Sequence, residues 1–518
     1  MMAAAAISVS PTAVGVAPAP ETDSVFKPAL LLMSGRTVAF AATFFIPLVL
    51  ARIFDPAQFG TYKQLFLIWG TVYYIAQLGM ASSLYYFLPR APRMAGSYVA
   101  NSLLFLAAAG LVCLGALVVA APNLGRWLSN NELPQYLPWI GLYVFLMMIS
   151  VALEMVLISR GRYLWASTTY ALSDILRAAA FIVPVLLFRQ LEWLLKGAVI
   201  VACLRVAVTL FYFRREFRGS FKPDGALLRS QLAYALPFGL AVVVEILQAS
   251  LPQYVVSHLF DPATFAIFAV GCLQIPLVDF AASPTSDVMM VKMQERLAKG
   301  RTRAVLEIWH DTTWKLALLF LPLAAFLIVD AREIIVFLFT RRYSASAPIF
   351  MVWSAMILLA SLQVDGVMRV FAQTRLLLAL NLMRLAIIAG LIHWSLGEFH
   401  LLGAALVTVL ATLLFKAGAL IRMKRLLGVG VADLLPWRSL GALLGAAVCG
   451  VVVVLAVKSQ IHVAPLPSIL ITGSAYAAAY IGLVWRFNLL NESERLAIAG
   501  WVRRMRNATG LAWGYGKG

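Results

Sequence analysis

Phe54-Asp55-Pro56-Ala57-Gln58-Phe59 returns, 206 residues later, as Phe260-Asp261-Pro262-Ala263-Thr264-Phe265. Each copy follows an apolar stretch, Val38 to Ile53 in one case and Ala241 to Leu259 in the other. Each precedes another, Thr61 to Met80 and Ile267 to Pro284. Asp before Pro is a helix-start signal, because the carboxylate caps the first free N–H groups and Pro fits the first turn. Each copy is therefore expected at the tip of a hairpin between two helices. A period this long implies a duplicated helical unit.

The surrounding composition says what those helices are immersed in. The chain of 518 residues is 62% hydrophobic and 13% charged, with mean hydropathy +0.87. A soluble domain is about 45–50% apolar and about 25% charged. Apolar runs of about twenty residues recur to the end of the chain, each long enough to cross a bilayer. Lipid offers the backbone no partner, so the runs must be helices. The fold class is therefore an all-α polytopic membrane protein. The formal charge of +19 would suit nucleic acid, but the Lys and Arg residues sit mostly in loops on one side of the membrane, as the positive-inside rule requires. Nucleic acid is thereby excluded as a partner. Cys113, Cys203, Cys272 and Cys449 stand far apart within apolar spans and are expected to be free, buried thiols; no metal-ligand spacing is present.

Fourteen spans are expected, with two six-helix lobes in parallel repeat around a central cleft and two further helices. Residues 1–25, rich in Ala, Pro and Ser and without a basic leader, form a disordered cytosolic tail. The first lobe covers 26–213, a basic cytosolic inter-lobe loop 214–229, and the second lobe 230–425. The extra helices cover 439–485, and 486–518 is a basic cytosolic tail. Within that tail, Glu492 to Met505 is either an amphipathic helix on the anionic leaflet or simply a solvated basic segment. Residues Lys292, Arg296, Lys299, Arg301 and Arg303 are read as an inner loop, and Asp330 to Pro348 as an outer connection. Six spans, an even number, separate the two Asp-Pro tips, so both face outward. Both lobes then share one orientation, and a cleft between them is the expected site.

Charges inside spans mark candidate function, since each costs about 2.5–3.5 kcal/mol at mid-membrane on insertion scales. Arg36 stands nineteen positions before Asp55, about 28 Å below the tip at 1.5 Å per residue. Glu245 stands sixteen before Asp261, about 24 Å below its own. If the first and seventh helices line the cleft, the two face it at similar depth; the alternative for Arg36 is snorkelling to the inner interface. Asp174 and Arg177 lie near mid-depth and either face the cleft or pair with each other. Arg205 has no local carboxylate and needs a distant partner or water. Arg384 and Lys416, in the inner halves of the eleventh and twelfth helices, also lack an acid one turn away. Lys315 has Asp311, and Asp365 has Arg369, at pairing distance along one helix. Glu154 and Asp279 are further candidates for a proton or cation site. The set leans basic, which suits an anionic cargo such as a diphosphate. No phosphate-binding loop is present, and the His residues are scattered.

The run Leu48-Val49-Leu50-Ala51-Arg52-Ile53-Phe54-Asp55-Pro56-Ala57-Gln58-Phe59-Gly60-Thr61-Tyr62 resembles the first hairpin of a known group, the polysaccharide-transporter (Wzx-type oligosaccharide flippase) branch of the multidrug/oligosaccharidyl-lipid/polysaccharide flippase superfamily. Leu236-Pro237-Phe238-Gly239 is similar too; Ala266, where the first copy has Gly60, departs from the pattern. The resemblance implies a flippase, not an enzyme, for an undecaprenyl-diphosphate-linked oligosaccharide used in O-antigen or exopolysaccharide synthesis, working by alternating access. It implies no cofactor, with H⁺ or Na⁺ coupling. It places the chain in the bacterial inner membrane with both termini cytosolic, among membrane lipids and other polysaccharide-assembly proteins. Arg36, Arg177, Arg205, Arg384 and Lys416 are then the candidates for the head group, and Glu245 and Asp174 for ion coupling. The open alternatives are a drug or cation antiporter or a lipid II carrier of the same superfamily, or a membrane polymerase or ligase. The outer connections look too short for the last of these, and the longest has no His.

Overall fold

The computed structural model describes residues 26–461 and 463–489, with residues 26–36, 38 and 39 as backbone only. His462, residues 1–25 and residues 490–518, which include the segment Glu492 to Met505, lie outside the described residues, while Arg486, expected to open the second tail, ends the last helix. The first half of the chain contributes α1 (Phe26–Ile53), α2 (Pro56–Ala76) continued by α3 (Met80–Arg90), and α4 (Ala95–Trp127). It also contributes α5 (Leu133–Ser150) continued by α6 (Ala152–Ser159), α7 (Tyr163–Phe188) and α8 (Leu191–Glu216). The second half contributes α9 (Gly225–Leu259), α10 (Pro262–Gly271), α11 (Pro276–Ala298), α12 (Thr302–Val329) and the short α13 (Ala331–Phe339). After these come α14 (Ala347–Ala360), α15 (Val364–Val370) and α16 (Thr374–Leu427), then α17 (Val431–Leu434), α18 (Trp437–Lys458) and α19 (Pro465–Arg486).

Among the described residues, eleven helices are long and apolar enough to cross a membrane, or twelve if the bent pair α10–α11 is one span. The protein is a multi-pass membrane protein. That count does not reach the fourteen expected, for two reasons of geometry and description. The 54 residues of α16 are two helices joined at His400, whose φ of 49° and ψ of −141° are not helical. In α1 the side chains are described throughout only from Phe40 onward. Several polar segments are more ordered than hydropathy implies. The basic stretch after α10 is helical to Ala298, so Lys292 and Arg296 stand on the C-terminal turns of α11. The non-helical link between the halves is residues 217–224. Asp330 is fully buried and precedes a helix, not a loop. The four cysteines are free, but Cys203 and Cys449 are exposed and Cys113 and Cys272 half-buried. The expectation of buried thiols fails because a thiol is apolar enough to stand on a lipid-facing helix surface.

The twin corners form as their residues dictate, and they meet. Asp55 Oδ1 accepts from Gln58 N at 2.9 Å, and Asp261 Oδ1 from Thr264 N at 2.7 Å. The N-terminal turns of α2 and α10 pack directly on one another. A Cβ added to Gly60 would lie 1.8 Å from the carbonyl oxygen of Pro262, closer than any two such atoms can sit. Both tips therefore lie at the same end of the molecule. Around them one continuous core draws on both halves, with Phe59 packed between Phe339 and Tyr343. At the opposite end the halves have separate cores, one around Leu88, Leu153 and Phe213, the other around Met293, Trp309 and Met423.

Three sets of polar contacts bind the halves. Near the tips, Gln64 Nε2 donates to Ser257 Oγ at 2.8 Å and Ser129 Oγ to His258 O at 2.7 Å, with Gln64 itself held by Asn130 of its own half at 2.6 Å. Arg52 donates to Phe337 O at 2.6 Å. At the other end, Asn101 and the backbone of Asp224 exchange two bonds of 2.9 Å, and Gln231 Nε2 donates to Ser102 Oγ at 3.1 Å. Helix α9 is thus a diagonal strut. Its N-terminal half packs on α3 and α4, its C-terminal half in the core of the second lobe.

The Gly60 crossing makes a direct prediction. Gly60→Val requires the two helices to part, and overpacking of this kind costs about 1–3 kcal/mol. The purified variant is expected to melt below the wild type in a thermal-shift measurement. Gly70→Val, which has open space around its Cα, serves as the control and is expected to shift far less.

Candidate functional site

Inside the first lobe, where α5, α6, α7 and α8 converge, four charges share a small space. Glu154 is held 2% exposed on α6. Arg205 on α8 reaches it at 2.7 Å and also donates its Nε to Ser150 Oγ at 3.1 Å. The distant partner that Arg205 needs is therefore Glu154, which the sequence offers only as an isolated acid 51 residues away. On α7, Arg177 pairs with Asp174 at 2.8 Å and stands beside the Tyr143 side chain. Tyr143, Met147, Asp174, Arg177 and Arg205 line one hollow. Arg177 and Asp174 remain about one-fifth exposed, so the pair is reachable from it.

The second lobe repeats the arrangement. Asp365 on α15 accepts from Lys416 on α16 at 3.5 Å, and Lys416 also donates to Leu362 O at 2.9 Å. Arg384, on the first half of α16, completes the set. In each lobe an acid on the fourth span meets a cation on the sixth, with an Arg on the fifth. Arg384 lies 207 residues after Arg177, within one position of the repeat read from the Asp-Pro corners. The expected local pair of Asp365 with Arg369 is not formed. Asp365 turns instead to Lys416, because the helix is interrupted after Ala360 and again after Val370 and its last turns are set by the packing on α16. Lys315 does pair with Asp311, at 2.7 Å.

One carboxylate is missing from the second set. Three positions before Arg177 is Asp174; three before Arg384 is Asn381. Asn381 is engaged elsewhere, donating to Leu377 O at 2.9 Å and accepting Gln248 Nε2 from α9 on its backbone oxygen at 2.7 Å. Arg384 makes no ion pair among the described residues, and its Nε is buried without a hydrogen-bond partner. Asp365 and Glu245 are the carboxylates whose charge reaches it. Glu245 itself is exposed on α9. The side chain of Arg36 lies outside the described residues. Asp279 is exposed at the break between α10 and α11, over a hollow it shares with Gln274, Trp353 and Ser354. Among the described residues no group of His, Cys, Asp and Glu is placed to hold a metal ion.

Sequence reasoning missed a further buried ionic cluster. Lys458, the last residue of α18, lies 2.8 Å from both Asp330 and Glu333, and Thr472 on α19 donates to Asp330. This ties the two terminal helices to the C-terminal end of α12. Read in sequence, Lys458 is an ordinary snorkelling residue and Asp330 an ordinary loop acid; only their meeting in space distinguishes them.

The family described as "Polysaccharide biosynthesis protein" matches residues 49–348, more than half of the chain. The chain belongs to that family. Its fold is shared with solved members of the multidrug/oligosaccharidyl-lipid/polysaccharide flippase superfamily. A structure titled "Lipid II flippase MurJ, inward closed conformation" is 11% identical, with a TM-score of 0.68 over 89% of this chain and 98% of the other. An inward-facing multidrug resistance MATE family transporter is 13% identical, with a TM-score of 0.57 over 77% of this chain and 98% of the other. A superfamily transporter from Pyrococcus furiosus is 14% identical, with a TM-score of 0.53 over 78% and 95%. No curated protein matches the chain.

The Glu154–Arg205 pair gives the site's test of stability. Removing one member of a buried pair costs about 3–5 kcal/mol, because the other charge is left unpaired. Glu154→Gln and Arg205→Met are each expected to lower the melting temperature markedly. The double variant is expected to lose less than the sum, as a double-mutant cycle on detergent-solubilised protein would measure.

Proposed function

We propose that this protein is an inner-membrane flippase that carries a polyprenyl-diphosphate-linked oligosaccharide, with undecaprenyl as the lipid, from the cytosolic to the outer leaflet for O-antigen or exopolysaccharide assembly. The observation that carries the reading is the repeated acid–cation set in the two lobes, from which Arg384 emerges with a buried donor and no partner. A guanidinium offers a planar fork that matches phosphate oxygens, and in a low-dielectric surround such an anion is worth more to it than in water. The separate inner cores support a chamber that opens toward the cytosolic leaflet. There the sugar–diphosphate head would enter between the lobes while the lipid tail stays in the bilayer. Arg205, Arg177, Arg384 and Lys416 are the proposed head-group residues, with Arg36 at the cytosolic rim. Asp174 and Glu245 are the proposed sites of H⁺ or Na⁺ coupling.

Two features favour lipid-linked cargo over a drug or organic cation. The sets in the two lobes hold four cations to three acids, and the acids of the tightest contacts are already neutralised. The fit to the lipid II flippase also runs over more of the chain than the fit to the multidrug transporters does, as expected if the two terminal helices have counterparts there. Lipid II itself is the second reading, and a deletion strain that loses a surface polymer but keeps its cell wall would set it aside.

The test is outer-leaflet exposure of lipid-linked sugar in cells carrying variants that insert normally. Arg384→Ala and Arg205→Ala are expected to lower it at least tenfold, about 1.4 kcal/mol or more. Asn381→Asp, which supplies the missing carboxylate, is expected to lower transport as well while leaving the protein as stable as the wild type. Full transport by all three variants would remove the assignment, and unchanged polymer with lost drug efflux in the deletion strain would replace it.

A further inference from the structure

The cytosolic end of α8 and the link after it carry charge that nothing in the protein balances. Arg214, Arg215, Arg218 and Lys222 are all exposed, and none makes an ion pair among the described residues. The acids nearby are engaged. Glu216 is bound by Arg162 at 3.0 Å. Asp224 caps α9, accepting from Ala226 N at 2.9 Å and Leu227 N at 3.1 Å. Arg160, stacked 5.2 Å from the Phe217 ring, adds another cation at the edge.

These residues surround two adjoining shallow hollows of about 380 and 480 Å³ that share Arg214 and Arg218. The floor is fixed. Phe217 is buried, Asn101 holds Asp224 by two bonds, and a Cβ on Gly96 would lie 2.5 Å from Ser220 O. Phe211, one turn nearer the membrane centre than Arg214 and Arg215, is 68% exposed and lines the second hollow. An aromatic ring facing acyl chains directly above a pair of guanidinium groups, on a rigid surface at the inner interface, is complementary to a molecule with a phosphate head and a hydrocarbon body.

We infer that this corner of the first lobe is a binding site for an anionic phospholipid of the cytosolic leaflet. Its phosphate would sit between Arg214 and Arg218, and its chains against Phe211. A general surplus of basic residues on the inner face would attract anionic lipid everywhere alike; the paired hollows and the fixed loop mark one place. Because the loop connects the lobes, an occupant there would also brace the entry to α9.

The experiment compares the full-length protein with Arg214→Gln/Arg218→Gln and with a control of equal charge loss on α11 and the residue after it, Arg296→Gln/Lys299→Gln. Each is purified into phosphatidylcholine nanodiscs with and without phosphatidylglycerol. Two quantities are read: phosphatidylglycerol retained per protein after detergent extraction, and the rise in melting temperature that phosphatidylglycerol produces. The wild type and the control are expected to retain the lipid and to gain stability from it. The Arg214/Arg218 variant is expected to bind about fivefold more weakly for each arginine removed and to lose most of the gain. Equal loss in both variants, or retention by neither the wild type nor the control, would overturn the site. A phenylalanine variant, Phe211→Ser, separates headgroup from chain contacts: unchanged retention would overturn the part assigned to the ring.

Discussion

A carboxylate and a guanidinium enter hydrocarbon together at a fraction of what either costs alone. That constraint orders the interior of this protein. Glu154 and Arg205 come from segments 51 residues apart, Asp365 and Lys416 likewise, and Lys458 satisfies two acids from the far side of the second lobe. Each pairing fixes the rotation and depth of the helices that carry it. A helix slipped by one residue would turn its charge about 100° away from the partner. The charged contacts therefore act as register pins in a bundle whose apolar surfaces, bathed in lipid, specify little by themselves.

The duplicated architecture lets the two lobes be compared as variants of one design. Both keep the acid on the fourth span and the cation on the sixth. They differ where Asp174 gives way to Asn381, and where Gly60 gives way to Ala266. The first difference leaves one arginine without a mate. The second concentrates the closest backbone approach on one side of the pseudo-symmetric crossing. In both cases symmetry is broken at a position that the rest of the structure surrounds closely, so the departures are where the halves can differ in role.

Much of this was legible in the sequence, and for identifiable reasons. The repeated Asp-Pro corner announced itself because capping is local: Asp55 and Asp261 bond residues three positions away. Hydropathy gave the helices because the bilayer leaves the backbone no other choice, and the even number of spans between the two corners placed both at one end. The candidate site was half legible. Arg205 was recognisable as a charge in want of a partner, and Asp174 with Arg177 as a potential local pair, since three positions along a helix is contact distance. The identity of the distant partner was not, because Glu154 and Asp365 are matched to their cations by helix packing, which leaves no trace in spacing. The Asp365–Arg369 expectation failed for the same reason. The cluster of Lys458, Asp330 and Glu333 was invisible because each residue alone looks like interface decoration.

The meeting of the two corners has a mechanical consequence. Atoms already in contact at Gly60 and Pro262 cannot be pressed closer, so they act as a fulcrum placed at one end of a lever. With a span of about 30 Å below it, a tilt of about 10° between the lobes moves their far ends by about 5 Å. The near end barely shifts. Any cycle that also opens that near end must first lift the halves off their pivot, exposing the shared core and releasing Arg52 from Phe337. The two strokes of such a machine are therefore unequal, and the harder one is where outside work has to be delivered.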